Sequence, residues 1–184
     1  MIAPAEKRKT VKLNILRQDA PDAHPYWQQF EVPCTPSSNV TSLLRSISAN
    51  PVTADGGQVA PPAYEASCLE EVCGSCTMLI NGKVRQACST LVRKIQSGHP
   101  DEPITIEPLT KFPVIRDLVV DRSRMFENLK RIKAWIPIDS SYNLGPGPKI
   151  TPEEQQTMYP LSRCMTCGSC LEACPQFTLS PHIP

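Results

Sequence analysis

The stretch Cys68–Cys88, CLEEVCGSCTMLINGKVRQAC, combines four cysteines with a hairpin signal. The segments TMLI and KVRQAC are strand-like, and Asn81-Gly82 between them is the strongest short-range signal for a tight β-hairpin. Three of the cysteines precede the hairpin, and Cys88 follows it. We therefore predict that the hairpin brings Cys88 back to the first three cysteines.

The spacing C-x4-C-x2-C, with a fourth cysteine after a short gap, is the plant-type [2Fe–2S] pattern. A binuclear cluster needs two thiolates on each iron, and Gly74 lets the backbone pass close to it. Zinc is the main alternative because Cys73-x2-Cys76 would suit it, but zinc sites favour two separated C-x2-C pairs. Disulfides are a weaker alternative. The predicted iron ligands are Cys68, Cys73, Cys76 and Cys88.

A second run, CMTCGSCLEACP at positions 164–175, matches the bacterial ferredoxin pattern C-x2-C-x2-C-x3-C-P. In that pattern the first three cysteines ligate one [4Fe–4S] cluster, and the fourth ligates a different cluster. The predicted [4Fe–4S] ligands are Cys164, Cys167 and Cys170, and Cys174 is the predicted ligand of the other cluster. Zinc is again the alternative. Because neither Cys34 nor His182 is well placed to complete these sites, we expect a truncated chain with a further cysteine run beyond Pro184.

The bulk composition excludes several classes of protein. The 184 residues fit one or two domains, and 40% of them are hydrophobic, enough for a real core. The net charge of +1 favours neither nucleic-acid binding nor electrostatic membrane attachment. No apolar run approaches the ~20 residues that span a bilayer, and the N-terminal residues do not resemble a secretory signal. We expect a reducing compartment, hence no disulfides, and a plain buried thiol at Cys34.

The first part of the chain shows strand and helix patterns in alternation. Val11–Gln18 and Trp27–Cys34 are predicted to pair as strands, and Ile104–Leu109 is one more strand. Between the second and the third of these strands, a helix is predicted whose N-cap is Asn39 or Thr41. Its predicted buried face consists of Val40, Leu43, Leu44 and Ile47. Together these elements indicate a small α+β grasp of about 110 residues.

The pattern becomes helical from Val120 onward. One predicted helix ends at Pro137, and a linker rich in proline and glycine follows it. Its apolar face is predicted to consist of Met125, Leu129, Ile132 and Ile136. A further helix begins at the capping box formed by Thr151 and Glu154.

Both cysteine runs, in this order, resemble the iron–sulfur subunit of succinate dehydrogenase and of its relative fumarate reductase. The resemblance extends from about Val11 to Pro175. Within the family, the chain is similar to the subunit found in Gram-positive-type succinate:menaquinone oxidoreductases. The segments that carry it are RQD, PYWQQFEVP, CLEEVCGSC, INGKVRQAC, FPVIRDLVVDRSRMFENLKRIKAWIPID, LGPGP and SRCMTCGSCLEACP. The chain departs from the family at its end, where members continue with a second ferredoxin cysteine run.

The resemblance implies an α+β fold in two domains. Residues 1–112 would form a β-grasp [2Fe–2S] ferredoxin domain, and residues 113–184 an incomplete α-helical ferredoxin domain. It also implies that Cys174 contributes to a [3Fe–4S] cluster, whose other ligands lie outside this chain. Electrons would pass from the FAD of a flavoprotein subunit through the three clusters to quinone, with menaquinone expected, at a cytochrome b-type membrane anchor. The chain would lie peripherally on the cytoplasmic face of the cell membrane.

The sequence shows no catalytic set of its own: no paired carboxylates, no Ser/His/Asp set and no glycine-rich phosphate loop. Electron transfer rather than substrate chemistry is therefore expected. Three alternatives stay open. The chain could serve a fumarate reductase or a related oxidoreductase with a non-quinone partner, it could be a freestanding two-domain ferredoxin, or it could be a zinc-stabilised interaction module.

Overall fold

A computed structural model describes residues 9–98, 101–135 and 150–177. The chain falls into two compact units, Met1–Asp121 with Cys167–Pro184, and Arg122–Thr166. The elements are β1 (Lys9–Arg17), β2 (Tyr26–Cys34), α1 (Val40–Ala49), β3 (Thr77–Ile80), β4 (Lys83–Gln86), α2 (Val92–Ile95), β5 (Ile104–Glu107), β6 (Val114–Arg116), β7 (Val119–Val120), α3 (Ser123–Arg131), α4 (Pro152–Ser162) and α5 (Ser169–Ala173). The predicted division at residue 112 stays a prediction.

The first unit contains a five-stranded mixed sheet in the order β2-β1-β5-β3-β4. β1 pairs antiparallel with β2 along its whole length, which confirms the predicted pairing of these two strands. On its other edge β1 runs parallel to β5, with Leu13 opposite Ile104. β3 joins β5 and β4 in antiparallel fashion. The short pair β6–β7 and the one-turn helix α2 were not predicted from the sequence.

The core of this unit lies between the sheet and α1. Alternate residues of β1 point inward and are buried, as expected for a strand with one covered face. The buried face of α1 contains the four predicted residues and also Thr41. Asn39 is the N-cap: its Oδ1 accepts the backbone N–H of Ser42 at 2.8 Å, so Thr41 is not the cap. The helix ends at Ala49 with Asn50 as its C-cap, because the following Pro51 disfavours helical backbone at Asn50.

The turn between β3 and β4 has the backbone that its sequence demands. Asn81 and Gly82 both adopt positive φ, +50° and +67°, as the favoured two-residue hairpin turn requires. The Asn81 side chain also accepts the backbone N–H of Thr105 at 2.9 Å. The turn is thereby anchored to β5.

The second unit contributes α3 and α4, neither of which has a fully buried residue. α3 is shorter than predicted: it ends at Arg131, and Ile132 is 54% exposed rather than part of a buried face. Lys133, just beyond, has a φ of +52°, which a continuing helix cannot accommodate. Ile136 and Pro137 lie outside the described residues. The predicted capping box of α4 is confirmed, with the Glu154 N–H donating to Thr151 Oγ1 at 3.1 Å.

Within the described ranges, no helix combines the length and apolar character needed to cross a membrane.

Candidate metal centre

Cys68 is the focus of a loop whose backbone N–H groups point at sulfur. Three N–H groups donate to Cys68 Sγ: those of Glu70 at 3.5 Å, Val72 at 3.3 Å and Cys73 at 3.3 Å. Such donors stabilise negative charge on a sulfur that ligates a metal. The loop therefore provides a preformed environment for a charged sulfur.

The backbone of this loop adopts a sparsely populated conformation to bring those N–H groups together. Leu69 and Glu71 have φ values of +61° and +64°, although neither is glycine. Positive φ at ordinary residues is uncommon and tends to cluster at functional sites. Short-range preference alone would not favour this backbone, so the hydrogen bonds and neighbouring structure hold it in place.

Cys73 forms a pair with Cys68. The backbone N–H of Cys68 donates to Cys73 Sγ at 3.5 Å, and Cys73 Sγ also hydrogen-bonds Ser75 Oγ at 3.1 Å. The Ser75 hydroxyl is the main cause that lowers the pKa of Cys73 to about 6, and the hydrogen bonds from Cys68 assist it. Cys73 is therefore largely a thiolate at neutral pH.

Cys76 and Cys88 form the second pair, deeper in the protein. They are only 2% and 6% exposed, and the two thiols are hydrogen-bonded to each other. Burial raises the pKa of Cys76 to about 11. The N–H of Ala87 donates to the carbonyl of Cys76 at 3.0 Å, which fixes the two segments together. The hairpin therefore returns Cys88 to Cys76, and its return to Cys68 and Cys73 stays a prediction.

The first cysteine group thus consists of two thiol pairs, one half-buried and one buried. Two thiolates on each of two irons is what a binuclear cluster requires, so the donor set fits a [2Fe–2S] group. Across the described residues, no group of three or more His, Cys, Asp or Glu side chains is arranged to hold a single metal ion.

The cysteines of the second run are divided between the two units. Cys164 lies in Arg122–Thr166, whereas the other three belong to the first unit. Cys164 and Cys170 are exposed, and Cys167 and Cys174 are half-buried. The Cys167 thiol donates to Ser169 Oγ at 3.3 Å.

Sequence reasoning missed a buried ion pair that holds the segment leading to Cys68. Arg17 Nε lies 2.8 Å from Asp117 Oδ1, and their side chains are 1% and 0% exposed. The Asp117 carboxylate also accepts the N–H of Gln18 at 3.1 Å and of Ala63 at 2.8 Å. A signal was present in the sequence, because Arg17 continues the inward alternation of Val11, Leu13 and Ile15. An inward arginine requires a buried acceptor.

Known proteins share this chain's sequence and architecture. A family model for the 2Fe-2S iron-sulfur cluster binding domain matches residues 12–127. The succinate dehydrogenase iron-sulfur subunit of Bacillus subtilis is 51% identical over 169 residues, covering 92% of this chain and 65% of the relative. A fumarate reductase iron-sulfur subunit of Escherichia coli is 34% identical over 95% of this chain and 67% of the relative. A chain of the Mycobacterium smegmatis Sdh1 complex in the apo form superposes with a TM-score of 0.67 at 26% identity, covering 91% of this chain and 64% of that one.

The sheet, the cysteine loop and the family match define a [2Fe–2S] cluster-binding domain. The matches to these two relatives cover 92% and 95% of the chain, more than residues 12–127 of that domain. The chain belongs to the family of iron–sulfur subunits of succinate dehydrogenase and fumarate reductase. It spans 65% of the length of the Bacillus subtilis relative.

Proposed function

We propose that this chain is the electron-transfer part of a succinate:quinone oxidoreductase. The proposal rests on the two cysteine pairs, Cys68 with Cys73 and Cys76 with Cys88. They occur in a chain that is 51% identical to a succinate dehydrogenase iron-sulfur subunit. Such a chain needs thiolate ligands and a shielded environment, but no substrate site of its own. No catalytic residue is therefore assigned to it.

The first cysteine group would hold a [2Fe–2S] cluster through Cys68, Cys73, Cys76 and Cys88. When bound, such a cluster takes up and releases one electron at a time. The N–H groups directed at Cys68 would stabilise the charge of that ligand, and the Ser75 hydroxyl would do so for Cys73. Cys76 and Cys88 would exclude water from the opposite side, because both are buried. The protonated thiol of Cys76 must lose its proton before it can ligate iron.

The second cysteine run would serve two further clusters. Cys164, Cys167 and Cys170 would ligate a [4Fe–4S] cluster, and Cys174 a [3Fe–4S] cluster completed by residues outside this chain. The spacing supports this proposal, as does the family in which it occurs. The proposed architecture is a β-grasp domain over residues 1–112 followed by an α-helical ferredoxin domain over 113–184.

The proposed partners follow from the family. A flavoprotein subunit carrying FAD would oxidise succinate and supply electrons. A membrane anchor of the cytochrome b type would deliver them to quinone, and menaquinone is the quinone that the family resemblance implies. The chain would lie peripherally at the cytoplasmic face of the membrane.

Fumarate reductase is the second candidate, because several relatives with that name match more than four fifths of the chain. Both reactions use the same components in opposite directions. Affinity purification of the tagged full-length protein from native membranes tests both candidates. We expect a flavoprotein to co-purify with succinate–dye oxidoreductase activity, and the ratio of succinate oxidation to fumarate reduction identifies the working direction. Purification without any flavoprotein would refute both.

A further inference from the structure

The carboxylate of Glu172 accepts three hydrogen bonds from a segment far away in the chain. Thr110 donates twice to Oε1, from its backbone N–H at 3.2 Å and from its hydroxyl at 2.6 Å. The Lys111 N–H donates to Oε2 at 3.1 Å. Both oxygens are therefore used, and the partners lie 61 and 62 residues from Glu172 in sequence.

Two further contacts join the same two segments. The Lys111 ammonium donates to the carbonyl oxygen of Cys174. At the N-cap of α5, Gly168 packs against the ring of Phe112 so closely that a Cβ at position 168 would lie 3.0 Å from two ring carbons. Gly168 also has a φ of +84°, which favours glycine. The helix is thus held by a carboxylate, by an ammonium and by close packing.

We propose that Glu172 is a positioning residue that fixes the cysteine helix α5, and with it Cys170 and Cys174, to residues 110–112, which follow β5. The function of this contact is to hold Cys170 and Cys174 at a constant separation from the first cluster site. Electron transfer between centres depends steeply on their separation, so a fixed attachment keeps the rate constant. This functional consequence rests on the electron-transfer role proposed above.

An isolated helix of five residues is not stable in water, because helix nucleation is unfavourable. The position of α5 must therefore come from tertiary contacts. Charge-assisted hydrogen bonds are about twice as strong as neutral ones, which makes a carboxylate with three donors an effective attachment. An ordinary surface glutamate would bond only to water or to a neighbour one helical turn away.

The first experiment measures the attachment itself, by hydrogen exchange on the complete protein purified in its complex with clusters bound. In Glu172→Ala the amides of Thr110 and Lys111 should exchange about tenfold faster or more, the change expected when a bond worth about 1.4 kcal/mol is lost. Thr110→Val, which removes only the hydroxyl donor, should give a smaller change in the same direction. Glu31→Ala is the matched control, since Glu31 is an exposed glutamate whose only described ion pair is a 4.0 Å contact with Lys12. Unchanged exchange in Glu172→Ala would overturn the proposal.

The second experiment measures the functional consequence by electron paramagnetic resonance of the same complexes. In the wild type, the reduced [2Fe–2S] signal should relax rapidly because a second paramagnetic centre lies at a fixed separation. In Glu172→Ala the half-saturation power of this signal should be lower than in the wild type, while the g values of the signal stay unchanged. The g values of the signal in Glu31→Ala should also equal those of the wild type. Unchanged relaxation would overturn the positioning role but leave the proposed function intact. Absence of any second-centre signal from the wild-type complex would overturn both this inference and the assignment of the second cysteine run.

Discussion

Replacing Asp117 by asparagine would remove one charge from the fully buried ion pair with Arg17 while keeping the size of the side chain. Asparagine tolerates positive φ, so the φ of +47° at position 117 adds little strain. The effect of the substitution therefore comes from the charge and its hydrogen bonds. The affected contact joins β1 to the segment that precedes Cys68 and to the β6–β7 turn.

The expected destabilisation can be worked from these contacts. Breaking a buried ion pair by removing one partner costs about 3–5 kcal/mol, because the remaining charge is left uncompensated. Arg17 keeps its bonds to the Gln28 side chain and to the Ala60 carbonyl, the latter at 3.2 Å, so the lower end of that range applies. With a urea slope of about 2 kcal/mol per M, a loss of about 3 kcal/mol moves the unfolding midpoint by about 1.5 M.

The assay is urea unfolding of the cluster-loaded protein, followed by far-ultraviolet circular dichroism. Asp22→Asn, at an exposed position, serves as the matched control and should leave the midpoint unchanged. A double-mutant cycle with Arg17→Met completes the test, since removing both charges should be less harmful than the sum of the single changes. The reasoning is refuted if Asp117→Asn moves the midpoint no more than Asp22→Asn does, or if the two single effects simply add.

Three further predictions concern the cysteines. Cys73→Ser should weaken or abolish the [2Fe–2S] paramagnetic resonance of the complex and leave the signal of the second centre unchanged. Cys34→Ser, the control, should leave both signals unchanged. Loss of both signals in Cys73→Ser would show that the two sites do not assemble independently. In the cluster-free chain at pH 7, iodoacetamide should modify Cys73 well before Cys76. The reason is that their pKa values are about 6 and about 11, and Cys76 is also buried. Equal modification rates by mass spectrometry would contradict the described environments of the two thiols. The raised pKa of Cys76 stabilises the folded cluster-free chain, and this contribution is fully present below the unfolded thiol pKa of about 8.5. It should be lost as the pH rises toward about 11, and urea midpoints across that range measure the loss. A Cys76→Ser chain with the same alkaline loss would point to another group.

The parts of the fold that the sequence predicted are those with short-range signals. Asn81-Gly82 specifies a hairpin through backbone preference alone, and the spacing of the first cysteine group is a property of one loop. The helix Val40–Ala49 carries its N-cap, Asn39, and its apolar spacing within a few turns. Each of these features could be predicted because the information lies within a single stretch of at most 21 residues.

The features that were missed depend on residues distant in sequence. The bond between Arg17 and Asp117 spans 100 positions, and no local pattern identifies the partner of an inward arginine. Glu172 was missed for the same reason, since its three donors come from residues 110 and 111. The end of α3 was predicted too late because apolar spacing continued past Arg131, while the backbone of Lys133 leaves the helical region.

The parallel pairing of β1 with β5 has a consequence for how the protein is made. Leu13 of β1 pairs with Ile104 of β5. All four cysteines of the first group lie between these two strands in the sequence. Closing so long a segment is slow, since its entropy must be lost before the strand contacts form. A chain emerging from the ribosome presents its N-terminal part first. All four thiols are therefore synthesised before β5, while the sheet is still open between β1 and β3.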